Sequence, residues 1–183
     1  MTPVGNPGQV KLSAGKSLVN TGDLLPDVHL KSTNDTVVSL RDIAAKHHLV
    51  LYFYPGDLEG LRYPELTGCT PQACSFRDSV AELRSKGAEV FGISLQPTAR
   101  QKDFHQREHL TFPLLSDSEL ELTNALGIPL WTSESGEVFV SRTTVISRKG
   151  GAVFHVFDDV QVDGHISQVL DMVATLNAGG NEG

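Results

Sequence analysis

Leu49-Val50-Leu51-Tyr52-Phe53-Tyr54 is an unbroken apolar and aromatic run, closed by Pro55-Gly56-Asp57. With no polar residue at alternate positions, it suits a strand covered on both faces. Downstream, Phe76, Val80 and Leu83 recur at helical spacing within residues 73–86, and Gly87 stops the pattern. Glu89-Val90-Phe91-Gly92-Ile93-Ser94-Leu95 then reads as a second strand. Strand, helix and strand in that order predict a parallel pair with a right-handed crossover.

Further along, residues 98–109 read as a charged, exposed helix and 112–115 as a short extended piece. Residues 119–126 read as a helix ended by Gly127-Ile128-Pro129. Arg142-Thr143-Thr144-Val145-Ile146-Ser147 is a β-branched strand, and Arg148-Lys149-Gly150-Gly151 is a hairpin turn into a strand over 152–157. A last helix is expected over 165–176. Parallel and hairpin connections together predict an α/β fold, a mixed central sheet flanked by helices. No internal repeat or linker divides the middle. Residues 1–21, broken by Gly5, Pro7, Gly8 and Gly15, read as a flexible arm. Residues 22–176 read as one domain, and 177–183 as a polar tail that frays.

The chain has 183 residues, enough for one domain with a full core. A formal net charge of -7 and the lack of any basic run argue against a nucleic-acid partner. No apolar stretch is long enough to cross a membrane, and the N-terminal residues lack the apolar region of a secretory signal. The expected compartment is therefore a reducing cytosol. There, two close cysteines are better read as catalytic or metal-binding than as a structural staple.

Cys69 and Cys74 are the two cysteines of the chain. Thr70-Pro71 is a good helix start, which puts Cys69 at or just before the positive end of a helix and Cys74 about a turn inside. Unpaired N–H groups and the helix dipole favour an anion there, so the Cys69 thiol should ionise below its free value of about 8.5. The bland alternative is a pair of small buried hydrophobes. A zinc site adding His105 and His109, spaced i, i+4, is a second alternative, but the two pairs lie far from a compact zinc pattern. A disulfide reductase would use Cys-x-x-Cys, with one turn bringing both sulfurs together. The wider spacing here suits oxidation followed by resolution.

Phe53-Tyr54-Pro55, Gly68-Cys69-Thr70-x-x-Ala73-Cys74-x-Phe76-Arg77-Asp78, Gly92-Ile93-Ser94, Leu114-Leu115-Ser116-Asp117 and Arg142-Thr143-Thr144-Val145-Ile146 occur in that order. Together they resemble the peroxiredoxins, and most of all the bacterioferritin comigratory protein or PrxQ group. The resemblance covers residues 22–176 and implies a thioredoxin-like fold and reduction of hydrogen peroxide and organic hydroperoxides. It implies that Cys69 is the peroxidatic cysteine and Cys74 the resolving one, joined in an intramolecular disulfide. It further implies that thioredoxin or glutaredoxin restores the thiols, that Arg142 stabilises the thiolate, and that no metal or other cofactor takes part. A monomer or weak homodimer is expected. The rival reading is a non-catalytic redox sensor using the same disulfide.

The sequence departs from the family pattern in three places. Pro55 precedes Cys69 by fourteen residues, so Leu58 to Pro64 looks like an insertion. Leu66 occupies the family's threonine position, leaving Thr67 as the candidate hydroxyl. Gln72 stands where this group usually has Glu. Trp131 reads as core filling after a helix-ending Gly-Ile-Pro.

Overall fold

The structure is a computed structural model, and it describes residues 17–56, 69–133 and 135–178. The elements are β1 (His29–Ser32), β2 (Val37–Ser39), α1 (Leu40–Ala44), β3 (His48–Phe53), α2 (Cys69–Ser85), β4 (Ala88–Ser94) and α3 (Thr98–Arg107). There follow β5 (Leu114–Ser116), α4 (Glu121–Leu126), β6 (Leu130–Thr132), β7 (Val138–Val140), β8 (Thr143–Ser147), β9 (Val153–Phe157) and α5 (His165–Ala178). Seven strands form one mixed sheet in the order β2-β1-β5-β4-β3-β8-β9, and β6-β7 is a separate two-stranded hairpin. β3 pairs parallel with β4 and antiparallel with β8, and β8 continues antiparallel to β9. The expected parallel pair and hairpin are both present.

The apolar run around β3 is unbroken because the sheet is covered twice. Val50, Tyr52 and Tyr54 face a core with Phe76, Val80 and Leu83 of α2, Phe104 of α3, and Val169 and Val173 of α5. Leu49, Leu51 and Phe53 face the opposite core with Leu40 and Ala44 of α1 and Leu122 and Leu126 of α4. The alternation is strand geometry, since successive side chains point to opposite faces. Tyr52 and Phe76 fix α2 to the sheet, their rings stacked at 4.4 Å and 8°. Such pairs contribute about 0.5–1.5 kcal/mol beyond area burial. Gly92, opposite Tyr52 in the β3–β4 register, makes room for them. A Cβ there would lie 2.7 Å from Leu114 Cδ2 and 2.8 Å from the Tyr52 ring.

Several boundaries differ from the sequence expectation for identifiable reasons. α2 begins at Cys69, ahead of the apolar pattern that opens at Ala73 and in keeping with the helix start read at Thr70-Pro71. A proline is tolerated in a first turn, where its missing N–H would be unpaired anyway. The helix ends at Ser85, and Gly87 just beyond it has φ +82 and donates to Arg84 O. α3 stops at Arg107 because His109 takes a left-handed φ of 52. Nor is α3 wholly exposed: Gln101 is buried and donates to Ser94 Oγ and Leu115 O at 2.9 and 2.8 Å. α4 starts at Glu121, since Leu120 is left-handed and the buried Asp117 carboxylate caps the N–H groups of Leu122 and Thr123. Within the expected arm, Leu18 and Val19 donate to Gly127 O and Leu126 O, and Ser17 bonds Asp158.

Candidate active site

α2 issues from the C-terminal side of β3, at the edge where parallel strands usually open onto a ligand site. Its backbone starts at Cys69, and no Asp or Glu stands in its first turn. The positive end of the helix is thus not offset by a local carboxylate. Cys74 lies in the same helix as a free, half-buried thiol.

Arg142 is brought to this helix end from far along the chain. It sits between β7 and β8, one residue before Thr143, which pairs with Phe53 at the end of β3. Its backbone is held in place: Val160 N donates to Arg142 O, and the neighbouring Ser141 N donates to Pro129 O. The side chain is buried, with 5% exposure, and Nη1 donates to Gln72 Oε1 at 2.7 Å. Gln72 itself is buried in the first turn of α2, three residues after Cys69. Residues i and i+3 share a helix face. The contact therefore places a permanent cation against the turn that begins with Cys69, and Gln72 contributes no charge to neutralise it.

Gln72 stood out in the sequence as a departure from the family, and its partnership with Arg142 was not read there. The i, i+3 spacing from Cys69 was the signal that could have found it. Of the other candidates, Thr67, Leu66 and the Leu58 to Pro64 insertion lie outside the described residues. Trp131, on β6, stacks on Phe139 of β7 at 4.6 Å, in keeping with core filling. The His105 and His109 pair is not on one helix face: His105 Nε2 contacts Phe112 O, and His109 lies beyond α3. Among the described residues no group of three His, Cys, Asp or Glu side chains could hold a metal ion. None of the described helices is long and apolar enough to cross a membrane.

His165 opens α5 and is buried between Thr144 and Gln168, at 2.8 Å from the hydroxyl and 2.9 Å from the amide oxygen. The amide oxygen can only accept, which puts the proton on Nδ1 and leaves Nε2 to accept from Thr144. Burial holds this imidazole below its ordinary pKa, with the Gln168 bond opposing. Burial pushes the Cys74 thiol up; Arg77 pulls it down, while Glu108 and Asp78 push it further up.

The AhpC/TSA family matches residues 21–156. The chain belongs to that family, as a peroxiredoxin of the PrxQ and Bcp group. It is 35% identical to the chloroplastic peroxiredoxin Q of Triticum aestivum over 86% of this chain and 68% of that one. It is 32% identical to peroxiredoxin Bcp of Escherichia coli, over 84% of this chain and 94% of that one. A solved structure of Xanthomonas campestris bacterioferritin comigratory protein, described in connection with its alkyl peroxide reduction activity, superposes with a TM-score of 0.74. It is 25% identical and covers 88% of this chain and 99% of its own. The fold is the thioredoxin-like fold of peroxiredoxins, as the sequence motifs imply.

Proposed function

We propose that this peroxiredoxin reduces hydrogen peroxide and organic hydroperoxides through Cys69, with Cys74 resolving the oxidised intermediate. The observation that carries the reading is the 2.7 Å contact between Arg142 and Gln72, which sets a buried guanidinium at the turn begun by Cys69. A nearby cation and a helix N-terminus both favour thiolate, the nucleophilic form.

The chemistry balances with these groups alone. The Cys69 thiolate attacks the terminal peroxide oxygen, the O–O bond breaks, and the leaving alkoxide or hydroxide takes a proton to become alcohol or water. Sulfur is oxidised to sulfenic acid as the peroxide is reduced. Arg142 meets the charge that develops on the two oxygens. Cys74 then attacks the sulfenic sulfur, a disulfide forms and water leaves. An external dithiol protein such as thioredoxin or glutaredoxin reduces the disulfide, and is itself oxidised. A reducing cytosol is the compartment in which such a donor is kept reduced.

Resolution requires motion. With both cysteines in one α-helix, a five-residue separation puts their Cα atoms about 8–9 Å apart on nearly opposite sides. A disulfide spans about 4.4–6.8 Å between Cα atoms. The first turns of α2 must therefore unwind once Cys69 is oxidised. Helix ends open at low cost, having few intrahelical bonds to lose.

The test is turnover: cumene hydroperoxide consumption driven by reduced thioredoxin. Repeated consumption supports the peroxidase. A single stoichiometric oxidation with no regeneration would instead indicate a redox sensor.

A further inference from the structure

The surroundings of Cys74 are closely built. Its Sγ is 3.6 Å from Glu108 Oε1, with the thiol donating. Glu108 is the C-cap residue of α3. One turn along α2, Arg77 Nη1 donates to the backbone oxygen of the same Glu108 at 2.7 Å. Thr111 Oγ1 in turn donates to Arg77 O at 3.3 Å, and Arg107 Nε binds the other Glu108 carboxylate oxygen at 3.0 Å. A single residue at the end of α3 therefore holds α2 at two points, on a face turned well away from Cys69 by the helical rotation between the cysteines.

We propose that Glu108 is a positioning residue for the resolving cysteine: its carboxylate holds the Cys74 thiol against α3, and its carbonyl, through Arg77, fixes where the unwinding of α2 stops. The inference rests on the assignment of Cys69 and Cys74 made above. To resolve the sulfenic acid, Cys74 must leave Glu108 and the helix must open from Cys69 up to Arg77. The Cys74 sulfur then bonds to the Cys69 sulfur, the S–O bond breaks, and the hydroxide leaves with the Cys74 proton as water. No further oxidant or reductant is needed. The charged groups around the thiol are Arg77 and Asp78 on α2 and Glu108 on α3, with Arg107 on the far side of the carboxylate. Burial and the two carboxylates favour the protonated, less nucleophilic form, and Arg77 opposes them. Glu108 thereby delays closure and lengthens the life of the Cys69 sulfenic acid, the species exposed to overoxidation.

Glu108→Gln, Glu108→Asp and Arg77→Ala test this in the full chain. In a Cys69→Ser background, the pH profile of Cys74 alkylation by iodoacetamide should shift to lower pH in Glu108→Gln and stay nearer the parent in Glu108→Asp, which keeps the charge. Amide exchange should quicken over residues 70–77 in Glu108→Gln, and spread beyond residue 77 in Arg77→Ala. After one equivalent of hydrogen peroxide, Glu108→Gln should form the disulfide about three- to tenfold faster, the factor one ordinary net hydrogen bond is worth. Unchanged alkylation and exchange would overturn the proposal, and so would slower closure, which would make Glu108 an assisting base. If the parent protein shows no oxidation by peroxide, the peroxidase reading fails by itself. Alkylation and exchange, which need no peroxide, still decide whether Glu108 holds Cys74.

Discussion

Arg142 Nη1 donates to Gln72 Oε1 at 2.7 Å, joining residues seventy positions apart. A side chain from the loop before β8 is thereby locked to the first turn of α2. Removing either partner should be felt at Cys69. Arg142→Ala should raise the Cys69 thiol pKa, the usual effect of losing a neighbouring opposite charge. It should also slow peroxide reduction by about 10²–10³, as loss of a preorganised donor does. Thiol titration at Cys69 and stopped-flow peroxide kinetics check both; no change in either would make the arginine structural.

Gln72→Ala leaves the buried guanidinium without this acceptor. A hydrogen bond to a charged group contributes about 1.5–3 kcal/mol, and a stability loss of that size should appear in denaturant unfolding, together with slower peroxide reduction. Gln72→Glu should keep the contact and the stability, but place a negative charge near Cys69 and raise its thiol pKa.

Cys74→Ser should oxidise once and then recycle poorly, because no second thiol closes on the sulfenic acid. Sulfinic and sulfonic products at Cys69 should accumulate at peroxide levels the parent survives. Mass spectrometry after stepwise peroxide addition reads this. Unchanged recycling with thioredoxin would show that Cys74 is not needed.

Gly92→Ala probes the core beneath the site. The added Cβ would meet Leu114 and the Tyr52 ring, which is stacked on Phe76 of α2. Overpacking of this kind typically costs about 1–3 kcal/mol, and denaturant midpoints should show it.

Stability should fall with acid below neutrality. His48, His105 and His165 are all held below the ordinary 6.5, burial being the first cause in each. Below that value the unfolded chain takes up protons that the folded chain does not. Their contribution is therefore full above 6.5 and is lost as pH falls through the depressed folded values. Denaturant midpoints at about pH 7.5 and about pH 5.5 should differ in that direction. His165→Gln should lessen the difference.

Much of the fold was legible because its central elements obey simple periods. Leu49 to Tyr54 is buried on both faces, Phe76, Val80 and Leu83 share one helix face, and Arg148 to Gly151 turns a hairpin. β1, β2 and α1 were not legible, being only four, three and five residues long. No period can be read over so few positions. The β6-β7 hairpin, with three residues in each strand, escaped for the same reason. At the candidate site, Cys69, Cys74 and Arg142 stood out in the sequence through motif and family pattern. Glu108 was not, because its contact with Cys74 spans thirty-four positions and depends on how α3 ends.

Peroxide reduction by Cys69, followed by closure onto Cys74, is tested most directly by the intact mass of the reduced protein after one equivalent of hydroperoxide. The parent chain should lose two hydrogens and yield a peptide linked through Cys69 and Cys74, and reduced thioredoxin should restore the original mass. Cys69→Ser should show no oxidation under the same conditions and no peroxidase turnover. A Cys69→Ser chain that still consumed hydroperoxide at the parent's rate would contradict the assignment outright.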